Sequence, residues 1–217
     1  MIITLDGQSG TGKSTLASLV AKELGYKYLN TGMIYRALTY FFLKKSVTPN
    51  DIEQIEKLLT LLNVKIKFFG DNQTVFIDNF DVTPFVSNLE VQQNVSLFSQ
   101  ILPIREKVTK LQKEYAQNNN VVVEGRDIGT CVFPNAEYKF FVKCDINVRA
   151  KRRLDDLKKL GQNLSMQEVI DSLMLRDKID TTRKYSPLIR PDDAIDIDTS
   201  NSTIAQSVNE ILKYIKN

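Results

Sequence analysis

Residues Gly7-Gln8-Ser9-Gly10-Thr11-Gly12-Lys13-Ser14 fit the pattern GxxxxGK[ST] with nothing inserted, and Thr15 follows directly. The motif stands between an apolar run, Ile2 to Leu5, and a stretch carrying Leu16, Leu19, Val20 and Leu24 at helical spacing. That placement, strand then loop then helix, is the one phosphate gripping requires. Glycines let backbone N–H groups turn inward around phosphate oxygens, and the free amides and positive dipole end of the following helix add to the attraction. Lys13 is suited to neutralising the β and γ phosphates of ATP, and the Ser14 hydroxyl to meeting a Mg2+ that bridges them. A glycine-rich turn that binds nothing is the bland alternative, and the intact motif with both flanks speaks against it. The NKxD segment of GTP-specific switches does not occur in the sequence.

A second set of residues suits an anionic acceptor, because the planar guanidinium holds phosphate through paired hydrogen bonds and keeps its charge. Thr31-Gly-Met-Ile-Tyr35-Arg36 follows the second apolar run and Glu124-Gly-Arg126-Asp127 follows the third, which is where ligands bind in open α/β sheets. Arg176, Asp180 and Arg183 are spaced four and three apart, within about 60° of one another on a helix. The same spacing also describes a solvated salt-bridge face. Arginine four residues before aspartate is, however, the weaker order for helix support, which shifts weight toward a ligand.

Elements of two kinds must position these residues. Short β-type runs at Ile2 to Leu5, Tyr26 to Leu29, Val121 to Glu124, Tyr138 to Lys143 and Ala194 to Ile197 alternate with amphipathic helical stretches, predicting a parallel sheet flanked by helices. Gly25 is placed to stop the first helix. A second begins near Gly32 with Ile34, Leu38 and Phe41/Phe42, and a third runs from Asp51 to about Leu62 with Ile52, Ile55, Leu58, Leu59 and Leu62 as its apolar stripe. The rhythm breaks at residues 64 to 83, where VKIKF, a GDN turn and TVFID predict an antiparallel hairpin. Residues 64–100 then form an insertion ending in a helix from about Asn88 to Phe98. Pro103 opens a helix that closes at Asn118-Asn119-Asn120, Asn147 to Leu160 is a strongly basic helix, and Ser165-Met-Gln-Glu168 is a capping box.

Composition narrows the classes. At 217 residues with 42% apolar and 25% charged residues, the chain suits one domain with a modest insertion. Its 29 Lys and Arg nearly balance 26 Asp and Glu, so there is no nucleic-acid footprint. No apolar run reaches membrane-spanning length and no secretory leader is visible, so a cytoplasmic protein is expected. Cys131 and Cys144 are too few for a disulfide framework and are expected in the core. The absence of histidine excludes Ser-His-Asp and Cys-His nucleophiles and histidine metal sites at once.

With these motifs in hand, the sequence resembles the bacterial cytidylate kinases, a branch of the nucleoside monophosphate kinases. The resemblance covers nearly the whole chain: GQSGTGKST, LNTGMIYRAL, the hairpin insertion, SLFSQILPIRE, VVVEGRDIGTCVFPNA and RDKIDTTRKYSPL. EGRDIGT together with RDxxDxxR is specific to that branch; adenylate and shikimate kinases share the phosphate loop but lack the pair. The resemblance implies an α/β fold of P-loop NTPase type, with 1–63 and 101–217 as the core, 64–100 as an NMP-binding insertion and about 149–165 as a helical lid. It also implies transfer of the γ-phosphoryl of ATP to CMP or dCMP with Mg2+, by a monomer without nucleic-acid or membrane partners.

Carried over by motif, Arg36, Arg126 and Arg183 resemble the clamp on the acceptor phosphate, with Thr31 and Tyr35 in the same segment. Ser96, Arg105 and Asp127 are similar to the residues that read cytosine, and Arg176 with Asp180 to the ribose contacts. A carboxylate at Asp127 accepts from the exocyclic amine of cytosine but faces an acceptor oxygen in uracil. Arg149, Arg152 and Arg153 resemble the lid cations, Arg149 and Arg153 being candidates for the transferring group; a solvated basic face is the alternative. Asn30 stands where the family often has Asp, which puts a carboxylate role there in doubt. Glu124 is either a partner behind magnesium or the strand's polar exit. Two other readings stay open: a kinase for a different small acceptor, and a nucleotide-gated binding protein.

Overall fold

Val121, Val122 and Val123 are wholly buried, because their strand has a layer of helices on each face. A computed structural model describes residues 1–159 and 161–216. Within it β1 (Ile2–Gly7), β2 (Lys27–Asn30), β6 (Val121–Gly125), β7 (Tyr138–Lys143) and β8 (Ile195–Asp198) form a parallel sheet in the order β2-β6-β1-β7-β8. Side chains of a strand alternate between faces. Val121 and Val123 accordingly join a core with α2 (Thr31–Lys44), α3 (Ile52–Leu61), α4 (Leu89–Phe98) and α5 (Leu102–Ala116), and Val122 joins the other, with α1 (Lys13–Leu24) and α8 (Ile204–Lys216). A third, smaller core of Ala150, Leu157, Val169 and Leu173 holds α6 (Ile146–Lys159) to α7 (Met166–Thr182).

The break in rhythm is a three-stranded antiparallel sheet, β3 (Val64–Phe69), β4 (Asn72–Ile77) and β5 (Phe80–Asp81), one strand more than the predicted hairpin. It is tied to the edge of the main sheet. The buried Gln73 amide accepts from the Asn30 N–H at 2.7 Å and donates to the Asn30 carbonyl at 3.2 Å, as a strand neighbour would.

Helix ends follow the sequence signals. Gly25 caps α1 in the left-handed region, Pro103 lies in the first turn of α5, and Ser165 with Glu168 forms the capping box of α7. Asn30 caps α2 by accepting from Met33 N at 3.0 Å. An amide oxygen serves that bond as well as a carboxylate. Three core expectations are corrected. Leu19 and Ile52 are exposed, because each lies at the solvent margin of its helix stripe, and Cys131 is exposed on the turn after β6. The Leu160 end of the basic-helix expectation lies outside the described residues. Among those residues no helix is long and apolar enough to cross a membrane.

Candidate active site

β1 and β6 are parallel neighbours, with Asp6 opposite Gly125, so the chain leaves both at the same edge of the sheet. After β1 the chain makes the glycine loop. Gly7 passes so close to β7 that a Cβ there would lie 2.3 Å from the Val142 carbonyl oxygen, and Gly12 takes φ 86° as it turns into α1. Thr11 braces the loop by donating from its hydroxyl to the Gln8 carbonyl at 3.1 Å. Lys13 Nζ donates to the same carbonyl at 2.8 Å.

Ser9, Gly10, Lys13 and Ser14 line one cavity of about 330 Å3 together with the residues that follow β2 and β6. Thr31, Tyr35, Arg36, Ser96, Arg105, Arg126, Asp127, Arg153, Arg176, Asp180 and Arg183 all border it, so the acceptor-side candidates and the loop share a single space. Seven cations and three carboxylates line this cavity. That imbalance favours a polyanion.

The carboxylates hold some of the cations in place. Asp127 pairs with Arg105 through one oxygen and with Arg183 through the other at 3.2 Å, and Asp180 pairs with Arg126 at 2.8 Å and Arg183 at 3.5 Å. Arg105 is fixed further by donating to the Ser99 carbonyl at 2.8 Å and by lying 5.6 Å above the Tyr35 ring. Burial pushes the Asp180 carboxyl up, but Arg126, Arg176 and Arg183 outweigh it and hold it below the usual carboxylate range. Arg36 and Arg176 have no carboxylate within ion-pair distance among the described residues. Burial, then the neighbouring Arg126, lowers the Arg176 guanidinium to about 10. Burial also lowers Arg36. Lys13 is pushed down to about 7, first by burial and then by Arg126. Burial is the leading cause for all three, and the cavity wall carries fewer carboxylates than cations to offset it.

The three arginines of α6 have different surroundings. Arg153 faces the cavity and donates to Gln92 Oε1 of α4 at 2.7 Å. Arg149 is buried beside the loop, donating to the Ser9 carbonyl at 3.1 Å and pairing with Asp177 at 2.6 Å. It is absent from the cavity wall. Arg152 bridges the Thr11 carbonyl at 3.4 Å to the Thr199 carbonyl at 2.7 Å, past the end of β8. Arg183 lies just beyond α7 as its C-cap, and its Nε donates to the Ser186 carbonyl at 2.8 Å. Thr15, on the first turn of α1, faces solvent.

Sequence reasoning missed several residues that build the site. Gln112 donates to the Thr31 hydroxyl at 2.7 Å from a buried position on α5. The Tyr28 hydroxyl is buried without a hydrogen-bond partner among the described residues, and burial followed by the Glu124 charge raises its pKa. Asp6 is fully buried at the end of β1. Its signal was a carboxylate closing an apolar strand.

Comparison with known proteins agrees. The family model described as cytidylate kinase matches residues 3–217. Cytidylate kinase of Clostridium botulinum strain Langeland is 41% identical over 214 residues, 99% of this chain and 97% of that protein. The cytidylate kinase of Fusobacterium nucleatum is 38% identical over 216 residues, 100% of this chain and 97% of the relative. Among solved structures, shikimate kinase of Bacteroides thetaiotaomicron overlays with TM-score 0.51 at 15% identity, covering 100% of this chain and 99% of that one. An uncharacterized protein of Eubacterium ventriosum does so with TM-score 0.54 at 12% identity, covering 100% and 99%. These two speak for the fold. A phosphate loop opening onto a cation-lined cavity in this sheet defines a P-loop kinase. The full-length match goes further: the chain belongs to the cytidylate kinase family.

Proposed function

We propose that this kinase transfers the γ-phosphoryl group of ATP to the phosphate of CMP or dCMP, giving ADP and CDP or dCDP. The observation that carries the reading is the single cavity in which Lys13 and the glycine loop face Arg36, Arg126, Arg176 and Arg183. Two polyanions brought together there repel one another, and the excess of cations on the cavity wall offsets that repulsion. The loop and Lys13 hold the donor phosphates; Arg36, Arg126 and Arg183 hold the acceptor phosphate. The attacking oxygen is already anionic or nearly so, hence alignment and charge neutralisation supply the acceleration without a dedicated base or a covalent intermediate. Arg153, reaching the cavity from α6, adds positive charge at the transferring group.

Base selection falls to Asp127, Arg105 and Ser96. Asp127 and Arg105 are pinned to one another, and a rigid polar reader discriminates best because the wrong base leaves its groups unpaired. Arg176 and Asp180 take the ribose. The donor set fits Mg2+, which keeps most of its waters and asks for one or two protein oxygens beside the phosphates. Ser14 is exposed to the cavity, and the buried Glu124 carboxylate lines it without an ion-pair partner among the described residues. Ser14 would hold the ion directly and Glu124 through its water; when bound, Mg2+ neutralises the β and γ phosphates. One chain supplies both sides of the cavity, which supports a monomer, and the two free cysteines suit the reducing cytoplasm.

The test is ADP release measured with Mg-ATP and, in turn, CMP, dCMP, UMP and AMP. The cytidine nucleotides are expected to turn over fastest. Turnover with AMP alone defeats the reading, and ATP binding without acceptor-dependent ADP release removes the kinase assignment.

A further inference from the structure

Asp127 stands at the N-cap of the short turn Ile128–Val132, where an aspartate ordinarily turns its carboxylate onto the first free amides. It makes no such bond. Its two oxygens go to Arg105 and Arg183 instead. The amides it leaves are satisfied from another strand: Ile128 N donates to Asp6 Oδ1 at 2.9 Å and Gly129 N to Asp6 Oδ2 at 2.7 Å. Asp6 is 1% exposed, does not line the cavity and immediately precedes the glycine loop.

We infer that Asp6 is a positioning residue for the acceptor: it caps the Ile128–Val132 turn in place of Asp127 and thereby frees the Asp127 carboxylate to hold Arg105 and Arg183 toward CMP. The inference rests on the proposed CMP kinase activity. Several observations support a bond kept for geometry. A carboxylate is placed in a fully buried position at the end of an apolar strand, at a desolvation cost that an apolar residue would avoid. Burial pushes Asp6 up to about 7, against the pull of the Gly129 and Ile128 amides; Asp127 raises it further and Lys13 lowers it. The turn packs closely on β1, since a Cβ on Gly129 would lie 3.0 Å from Thr4 Oγ1 and 3.1 Å from Pro191. Without the Asp6 oxygens, the carboxylate in the capping position for those amides is Asp127, and turning it inward would leave Arg105 without its carboxylate and Arg183 with Asp180 alone.

The experiment compares wild type with Asp6→Ala, Asp6→Asn, Asp127→Ala and the double variant Asp6→Ala/Asp127→Ala. ATP affinity is measured without acceptor, and kcat and KM are measured for CMP. Asp6→Ala is expected to raise the KM for CMP roughly 30-fold, and Asp6→Asn, which keeps one acceptor oxygen, about tenfold, with ATP affinity within about twofold of wild type. The double variant should be no worse than Asp127→Ala, because both changes remove one function. Additive losses in the double variant, an unchanged KM for CMP, or a parallel loss of ATP affinity would each overturn the inference. If Asp6→Ala does not fold, Asp6→Asn, alone and combined with Asp127→Ala, carries the same comparison. Wild-type inactivity on CMP would instead count against the proposed function, with ATP affinity still reporting on the loop.

Discussion

Lys13 offers a quantitative test of the electrostatics of this cavity. Burial and the facing guanidinium of Arg126 lower its pKa to about 7, whereas triphosphate oxygens around the ammonium should return it to or above its ordinary 10.5. ATP binding must then draw a proton from solution whenever the empty protein has lost it. The uptake should be about 0.1 proton per ATP at pH 6, about 0.5 at pH 7 and about 0.9 at pH 8, with apparent affinity falling about tenfold per pH unit above pH 7. The assay is calorimetric titration with Mg-ATP in buffers of different ionisation enthalpy at each pH, since the proton taken up is supplied by the buffer. Arg126→Ala removes a cation that lowers Lys13, so its midpoint should move upward and its uptake at pH 8 should fall. Heats independent of buffer at pH 8, with ATP affinity flat from pH 6 to 9, would show that Lys13 is already charged in the empty cavity. That result would refute the argument that the cavity is starved of counter-charge.

Other perturbations separate positioning, chemistry and support. Arg183→Ala removes partners of both Asp127 and Asp180 and should raise the KM for CMP about 100-fold while ATP affinity stays put; steady-state kinetics beside ATP titration checks the split. Arg153→Ala should lower kcat roughly 10³-fold with no change in melting temperature, since the side chain faces the cavity; a wild-type rate would leave it a surface charge. Arg149→Ala strands the Asp177 carboxylate and should cost about 3–5 kcal/mol in urea denaturation. Gly7→Ala forces a Cβ against the Val142 carbonyl and should destabilise by about 2 kcal/mol or more, seen as a lower melting temperature.

Local signals made much of this site legible. The glycine loop was recognisable because strand, loop and helix are contiguous in sequence, and so was the sheet, because each parallel strand carries its own apolar run. Arg36 and Arg126 could be placed at the sheet edge from their position after a strand. Partners far apart in the chain could not. Asp6 meets Ile128 and Gly129 across more than 120 positions, and Gln112 reaches Thr31 across 81. Arg149 illustrates the same limit. Its charge suggested a cation aimed at the substrate; what the sequence did not announce is its pairing beside the loop with Asp177 of the next helix, which no spacing rule foretells. Cys131 failed for a different reason: the turn after β6 has no periodicity from which a face could be inferred.

Gln73 has the most to say about motion. By imitating a strand against Asn30, it makes the small sheet an extension of the large one, and Lys27 adds a bond to the Gly70 carbonyl at 3.0 Å. A hinge in residues 64–100 would therefore have to lie beyond these strands, toward α4, where Gln92 meets Arg153.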